Sequence, residues 1–141
     1  MKRGHTLLEL AVVLTVVTLT GSMAVGLGRR HLDRMAVVQV RESAAALFHG
    51  ARAEARVHGG ATVRVEDGTL TLIRPPDEVV RTVDPRGEGV RIEIQGVRDE
   101  AEVRFGAMGI GRTASLTLLF RRGGAEVPLI LSSYGRVRRD R

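Results

Sequence analysis

The spacing of apolar residues divides the chain into three stretches, and the first is an uninterrupted apolar run. Residues 10–28 are nineteen consecutive uncharged positions. As an α-helix this run spans about 28 Å, close to the hydrocarbon thickness of a bilayer, so it can cross a membrane. A cleaved secretory signal and an ordinary single-span anchor are the simplest alternatives. The weak cleavage site at residues 22–24 and the helical pattern that follows favour an anchor that is retained.

In the second stretch, residues 31–58, apolar residues recur every three or four positions, the spacing of one face of a helix. We therefore expect the same helix to continue and to pack this face on a small domain. Gly59 and Gly60 should end it, because glycine commonly follows the last turn of a helix. The predicted buried face consists of Val37, Val40, Ala44, Leu47, Phe48, Ala51 and Ala55.

The third stretch, residues 61–141, alternates apolar and polar residues with a period of two, as strands do. Asp67-Gly68 is the dipeptide that a tight type I′ hairpin prefers. Turns are expected at residues 84–87, 106–111 and 121–124, and Pro75-Pro76 bounds a strand. The pattern predicts an α+β fold, with one long N-terminal helix on an antiparallel sheet domain. The candidate strands are 62–66, 69–73, 79–83, 90–94, 102–105, 115–120 and 127–131.

A single acid, Glu9, stands at the start of the apolar run, and the next charged residue is Arg29. A carboxylate inside a membrane segment costs about 2.5 kcal/mol or more, so it normally has a function and a partner. Lys2 and Arg3 before the run favour a cytoplasmic amino terminus, whereas the arginines after it oppose that orientation. Charge alone therefore leaves the orientation open.

Residues 4–10, Gly-His-Thr-Leu-Leu-Glu-Leu, resemble the class III (prepilin) signal of type IV pilins and type II secretion pseudopilins. The resemblance implies a leader peptide at 1–4, cleavage between Gly4 and His5 by prepilin peptidase, and N-methylation of His5, where the family usually has Phe. It implies a transmembrane and filament-core helix at 5–30, continued by the amphipathic part at 31–58. Glu9 would then pair with the terminal amine of a neighbouring subunit during assembly.

The carboxyl-terminal half sharpens this resemblance. Residues 103–109 (Val-Arg-Phe-Gly-Ala-Met-Gly), 115–118 (Ser-Leu-Thr-Leu) and 132–138 (Ser-Ser-Tyr-Gly-Arg-Val-Arg) are similar to the FimT/GspH group of minor pilins. A type IV pilin-like fold is implied, as are other pilin or pseudopilin subunits as partners. The resemblance also implies a single-pass protein of the bacterial inner membrane, with its amino terminus in the cytoplasm, its domain outside, and assembly into a pilus or pseudopilus.

The formal net charge is +6, and arginine provides all the basic residues except Lys2. A basic balance permits binding to polyanions. Alternation would place Arg136 and Arg138 on the same side of an extended segment, spaced to meet successive phosphates. In some natural-transformation pili, FimT-type minor pilins are thought to capture DNA through such a tail, without sequence specificity. A solvated tail or a contact between subunits is the alternative. The candidate DNA-binding residues are Arg136, Arg138, Arg139 and Arg141.

Catalysis finds little support in the sequence. Ser132 and Ser133 have no nearby histidine to act as a base, and the glycine-rich residues 106–111 lack the lysine of a phosphate-binding loop. His31, His49 and His58 do not have metal-ligand spacing, and the chain has no cysteine. We therefore expect a structural subunit without cofactor or metal. A membrane-anchored envelope enzyme is the disfavoured alternative.

Overall fold

The structure, a computed structural model, describes residues 3–96, 100–112 and 115–139, with side chains from Leu7 onward. Helix α1 covers Arg3–His58, and a short 3₁₀ helix covers Pro85–Glu88. The strands in this part of the chain are β1 Gly60–Glu66, β2 Thr69–Arg74, β3 Glu78–Val83, β4 Arg91–Ile94, β5 Ala101–Gly106, β6 Gly111–Arg112, β7 Leu116–Arg122, β8 Ala125–Leu131 and β9 Val137–Arg138.

The chain forms two units, Met1–Leu32 and Asp33–Arg141. In the first unit, α1 exposes every side chain from Leu7 to Leu32, and it continues without a break through Gly21, Gly26 and Gly28. Among the described residues, α1 is the helix whose length and composition would allow it to cross a membrane. Its most apolar window has a mean hydropathy of 2.1, and none of that window is buried.

The second unit contains two antiparallel sheets. One has the strand order β3-β2-β1-β5-β6, and the other has the order β4-β7-β8-β9. The sequence predicted the long helix and the antiparallel strands, and this architecture is confirmed. It predicted neither the division into two sheets nor the two-residue strands β6 and β9. Such short strands carry too few residues to show a period of two.

A single apolar core fills the second unit. All seven residues of the predicted helix face are buried, so the helical spacing identified that face correctly. Ala44, Ala51 and Ala55 are fully buried on this face of α1, and Phe48 is buried with no exposed surface. The strands contribute Val63, Val65, Leu70, Leu72, Ile92, Val103, Phe105, Leu118, Phe120, Leu129 and Leu131.

Two turns take the geometry that their residues favour. Asp67 and Gly68, with φ of 49° and 73°, join β1 to β2, and Glu66 pairs with Thr69 across them. Both values are positive, as a type I′ hairpin requires, so this prediction is confirmed. The predicted turn after Asp84 is the 3₁₀ helix, in which the Asp84 carboxylate accepts a hydrogen bond from the Arg86 N–H at 3.0 Å.

Proline accounts for the short pairing at one sheet edge. Strand β9 pairs with β8 at Leu131↔Val137 and Ile130↔Arg138. Pro128 lies two residues before Ile130 in β8, and it has no N–H that could donate a further hydrogen bond at this edge. On the edge of β8 that faces away from β7, residues 126–128 border a groove rather than another strand of the described residues.

The contrast between the two units predicts different responses to the same substitution. Leu47→Ala should lower the unfolding free energy of a soluble fragment, residues 29–141, by about 2–5 kcal/mol, because Leu47 is fully buried. Leu32→Ala, on the same helix but 62% exposed, should change it by less than about 0.5 kcal/mol. Urea denaturation followed by circular dichroism measures both, and equal losses would contradict the assignment of the core.

Candidate functional site

The residues singled out at the amino terminus lie at the start of α1. Gly4 and His5 are in its first turn, and the exposed Glu9 follows in the next turn. Around Glu9, Leu7, Leu8 and Leu10 are 58–71% exposed, so the carboxylate lies on an apolar surface that nothing in the first unit covers. The cleavage, methylation and assembly roles of Gly4, His5 and Glu9 stay predictions.

The hydroxyl groups of the apolar run are satisfied within the helix itself. Thr15, Thr18 and Thr20 each donate to the carbonyl four residues earlier at 2.7–2.8 Å, and Ser22 donates to the Leu19 carbonyl. These bonds remove polar groups that would be costly in an apolar environment. Within the described residues Glu9 has no such partner, so it is the polar group of this segment whose partner must come from elsewhere.

The basic tail is held by hydrogen bonds and by the core. Ser132 N–H donates to the Arg136 carbonyl, and the Arg136 N–H donates to the Ser132 hydroxyl. Ser132 is therefore a turn residue. Val137 packs against the core, whereas Arg136 and Arg138 on either side are exposed. The alternation thus places both guanidiniums away from the core, and neither contacts an acidic side chain within the described residues.

The other two tail arginines differ from this pair. The Arg139 guanidinium forms an ion pair with Glu42 on helix α1, with Nη2 3.0 Å from Oε2. The second oxygen of Glu42 accepts a hydrogen bond from Arg41 at 2.9 Å. Glu42 thus bridges Arg139 to the helix, so the tail is anchored at this point. Arg141 lies outside the described residues.

The structure brings to the tail two arginines that the sequence analysis did not single out. Arg34 and Arg41 line a groove of about 560 Å³ together with Arg139. With Val38 they lie at positions i, i+4 and i+7, one strip of a helix beside the buried face. That spacing could have identified the strip in the sequence. Its approach to the end of the chain could not have been identified, because it depends on tertiary packing.

Close backbone packing fixes the turn that precedes the tail. Gly135 has a φ of 75°, and a Cβ there would lie 2.6 Å from Cε1 of the buried Phe105. A Cβ on Gly111 would lie 2.9 Å from the Gly135 backbone, and the Gly111 N–H donates to the Tyr134 carbonyl. The turn before the tail is therefore held against the end of β5 at a distance that only glycines allow.

The loop between β5 and β6 contacts α1 through its backbone. Arg52 Nε donates to the Gly109 carbonyl at 3.0 Å, and Arg56 Nε lies 3.5 Å from the Met108 carbonyl. Residues 107–110 form the loop, so a turn lies where residues 106–111 predicted one, with Gly106 and Gly111 belonging to the flanking strands. Among the described residues, no group of three or more His, Asp or Glu side chains could hold a metal ion. His31, His49 and His58 are exposed.

Comparisons with known proteins agree with this architecture. Two crystal structures of the type IV minor pilin FimU of Pseudomonas aeruginosa share the fold. One, in space group P21, has 15% sequence identity, covers 80% of this chain and 91% of that chain, and gives a TM-score of 0.57. The other, in space group P65, has 16% identity, covers 77% and 92%, and gives a TM-score of 0.55. No protein-family model and no curated protein sequence matches this chain. The predicted type IV pilin-like fold is thus confirmed.

The packing around Gly135 generates a stability prediction. Gly135→Ala should destabilise the 29–141 fragment by about 2–4 kcal/mol. The alanine would have to adopt an unfavourable left-handed backbone conformation, and its Cβ would clash with the Phe105 ring. Gly124→Ala is the matched control, since a Cβ at this position would have no atom within 4 Å beyond its chain neighbours. The φ of Gly124 is also not in the left-handed region. Urea denaturation should place the control within about 0.5 kcal/mol of the parent. Similar losses in both variants would show that the turn is not tightly packed.

Proposed function

We propose that this chain is a minor pilin or pseudopilin, a structural subunit that assembles into a type IV pilus or type II secretion pseudopilus through its N-terminal helix. One observation carries the proposal: an exposed apolar helix with a single acid, Glu9, precedes a unit whose core is complete without it. A surface of that kind must be covered by lipid or by other helices. The fold that the chain shares with FimU is in agreement.

Assembly would follow from the chemistry of this segment. Prepilin peptidase would cut after Gly4, and the new terminus at His5 would be methylated. Before assembly, the apolar run would hold the subunit in the inner membrane, with its sheet domain outside. In the filament, apolar helices would pack together, and Glu9 would neutralise the terminal amine of its neighbour. Removing one member of such a buried pair costs about 3–5 kcal/mol, enough to decide whether a subunit is incorporated.

Glu9→Gln tests this role. The substitution preserves shape and removes the charge, so we expect the variant to reach the membrane in normal amounts. Its quantity in sheared filaments should fall at least about tenfold, because the terminal amine of the neighbour loses its partner. Glu66→Gln, an exposed residue of β1, is the matched control and should be incorporated normally.

Mass spectrometry of the membrane-bound Glu9→Gln form separates assembly from processing. We expect a terminus beginning at His5, which places the defect after cleavage. An unprocessed amino terminus would instead assign Glu9 to peptidase recognition. Normal incorporation of a processed variant would refute the assembly role.

A DNA-binding minor pilin for natural transformation is the second candidate function. The observation that favours it is the pair Arg136 and Arg138, which are exposed and free of acidic contacts within the described residues. Arginine can grip a phosphate with two parallel hydrogen bonds, and such contacts do not depend on base sequence. Tyr134, 68% exposed, lies beside them and is the aromatic residue nearest the tail.

Salt dependence tests the DNA hypothesis. The 29–141 fragment should bind a labelled duplex with an affinity that falls as salt rises from about 50 to about 200 mM. Arg136→Gln/Arg138→Gln should weaken binding and lower the slope of log affinity against log salt by about 2, since each lost phosphate contact removes about 0.9. Arg81→Gln/Arg91→Gln, which removes two exposed arginines elsewhere, is the control for net charge. Equal effects of the two pairs would refute a specific role of the tail.

A further inference from the structure

The groove beside the tail has the features of a binding site. It lies between helix α1 and strand β8, and three guanidiniums line it, those of Arg34, Arg41 and Arg139. Its apolar lining consists of Val38, Val127 and Pro128. A groove with basic groups around an apolar surface fits an anionic group that has apolar neighbours.

Arg41 has a buried donor that pairs with no acceptor in the described part of the chain. Its side chain is only 14% exposed, and its Nε is fully buried with no hydrogen-bond partner in the described part of the chain. Nη2 donates to Glu42. Because buried polar groups are almost always paired, the hydrogen bonding of the Arg41 guanidinium is incomplete within the described residues.

The side chains that line the groove carry a net positive charge, which nearby carboxylates reduce in part. Glu42 is shared between Arg41 and Arg139, and Glu126 faces the groove while accepting from Arg121 at 2.6 Å. Arg34 is exposed and has no acidic partner among the described residues. Three arginines thus line the groove with one carboxylate, that of Glu126, and Arg34 is the arginine among them that has no acidic partner in the described residues.

We propose that this groove binds a carboxylate side chain of a partner protein, presented on a segment with apolar flanking residues. Arg34 and Arg41 would hold the carboxylate, since a guanidinium fork matches its two oxygens. Val38, Val127 and Pro128 would contact the apolar flanks. This inference does not depend on filament assembly, so either proposal can fail without the other.

Two features select this ligand over the alternatives. Glu126 lines the groove and Glu42 is paired with Arg139, so two negative charges are close to the site. They would repel the successive charges of a nucleic-acid backbone more than the one charge of a carboxylate. Pro128 has no N–H, so a partner strand extending the sheet would lose a hydrogen bond at this edge. Recognition therefore rests on side chains of the partner rather than on its backbone.

Peptide titration of the 29–141 fragment tests the proposal. The fragment retains the complete described core, because every buried apolar side chain lies between Ala36 and Leu131. The probes are a capped Val-Glu-Val peptide and its Val-Gln-Val counterpart, followed through the arginine side-chain N–H signals by NMR. We expect the acidic peptide to shift the Arg34 and Arg41 signals with a dissociation constant of about 1–10 mM, and the neutral peptide to bind at least about tenfold more weakly.

Variants locate the site. Arg34→Gln changes an exposed residue and should keep the fold while weakening the binding of the acidic peptide at least about tenfold. Arg91→Gln, exposed on β4, should leave affinity unchanged. Equal binding of both peptides, or no shift at about 20 mM peptide, would overturn the proposal. Displacement of the acidic peptide by a short duplex at lower concentration would replace it with a nucleic-acid site, and displacement by inorganic phosphate would replace it with a phosphate site.

Discussion

Burial of one face of helix α1 between Ala36 and Ala55 is the interaction on which the second unit depends. The two sheets have separate hydrogen-bonded strand orders, and side chains from both join the helix in one apolar cluster. Buried apolar surface contributes about 25 cal/mol per Å², and the fully enclosed Phe48 and Leu47 are among its largest contributors on the helix. Ala44, Ala51 and Ala55 on the same face are also fully buried. Without this face, the two sheets would lose the helix surface against which both of them pack.

Arginine side chains around that core form hydrogen bonds and ion pairs between elements. Arg52, Arg86 and Arg122 donate to backbone carbonyls of loops at 2.6–3.0 Å. At Asp33, an ion pair with Arg122 joins the helix to strand β7 at 3.0 Å. Exposed ion pairs of this kind contribute little individually, about 0–1 kcal/mol each, so their role is to fix loop positions more than to supply stability. A long planar cation that can reach a carbonyl while covering apolar surface suits this role better than lysine does.

The sequence predicted what local spacing decides and missed what tertiary packing decides. The helix face, the end of α1 before Gly59 and the hairpin at Asp67-Gly68 follow from periods and turn residues, and all are confirmed. The division into two sheets and the two-residue strand β9 follow from long-range pairing. In the candidate site, the density of arginines near the end of the chain was visible in the sequence. The contact of Arg139 with Glu42, which joins the tail to the helix, depends on the fold of everything between them.

The internally bonded hydroxyls of the apolar helix have a consequence for reversibility. Thr15, Thr18, Thr20 and Ser22 donate to carbonyls of their own helix, so they require no acceptor from their surroundings. A helix of this kind can exchange lipid neighbours for protein neighbours, or the reverse, without breaking a hydrogen bond of these side chains. Such an exchange encounters no hydrogen-bonding barrier in either direction along this part of the helix. The hydrogen bonding of these four side chains therefore gives the helix no preference between lipid and protein neighbours.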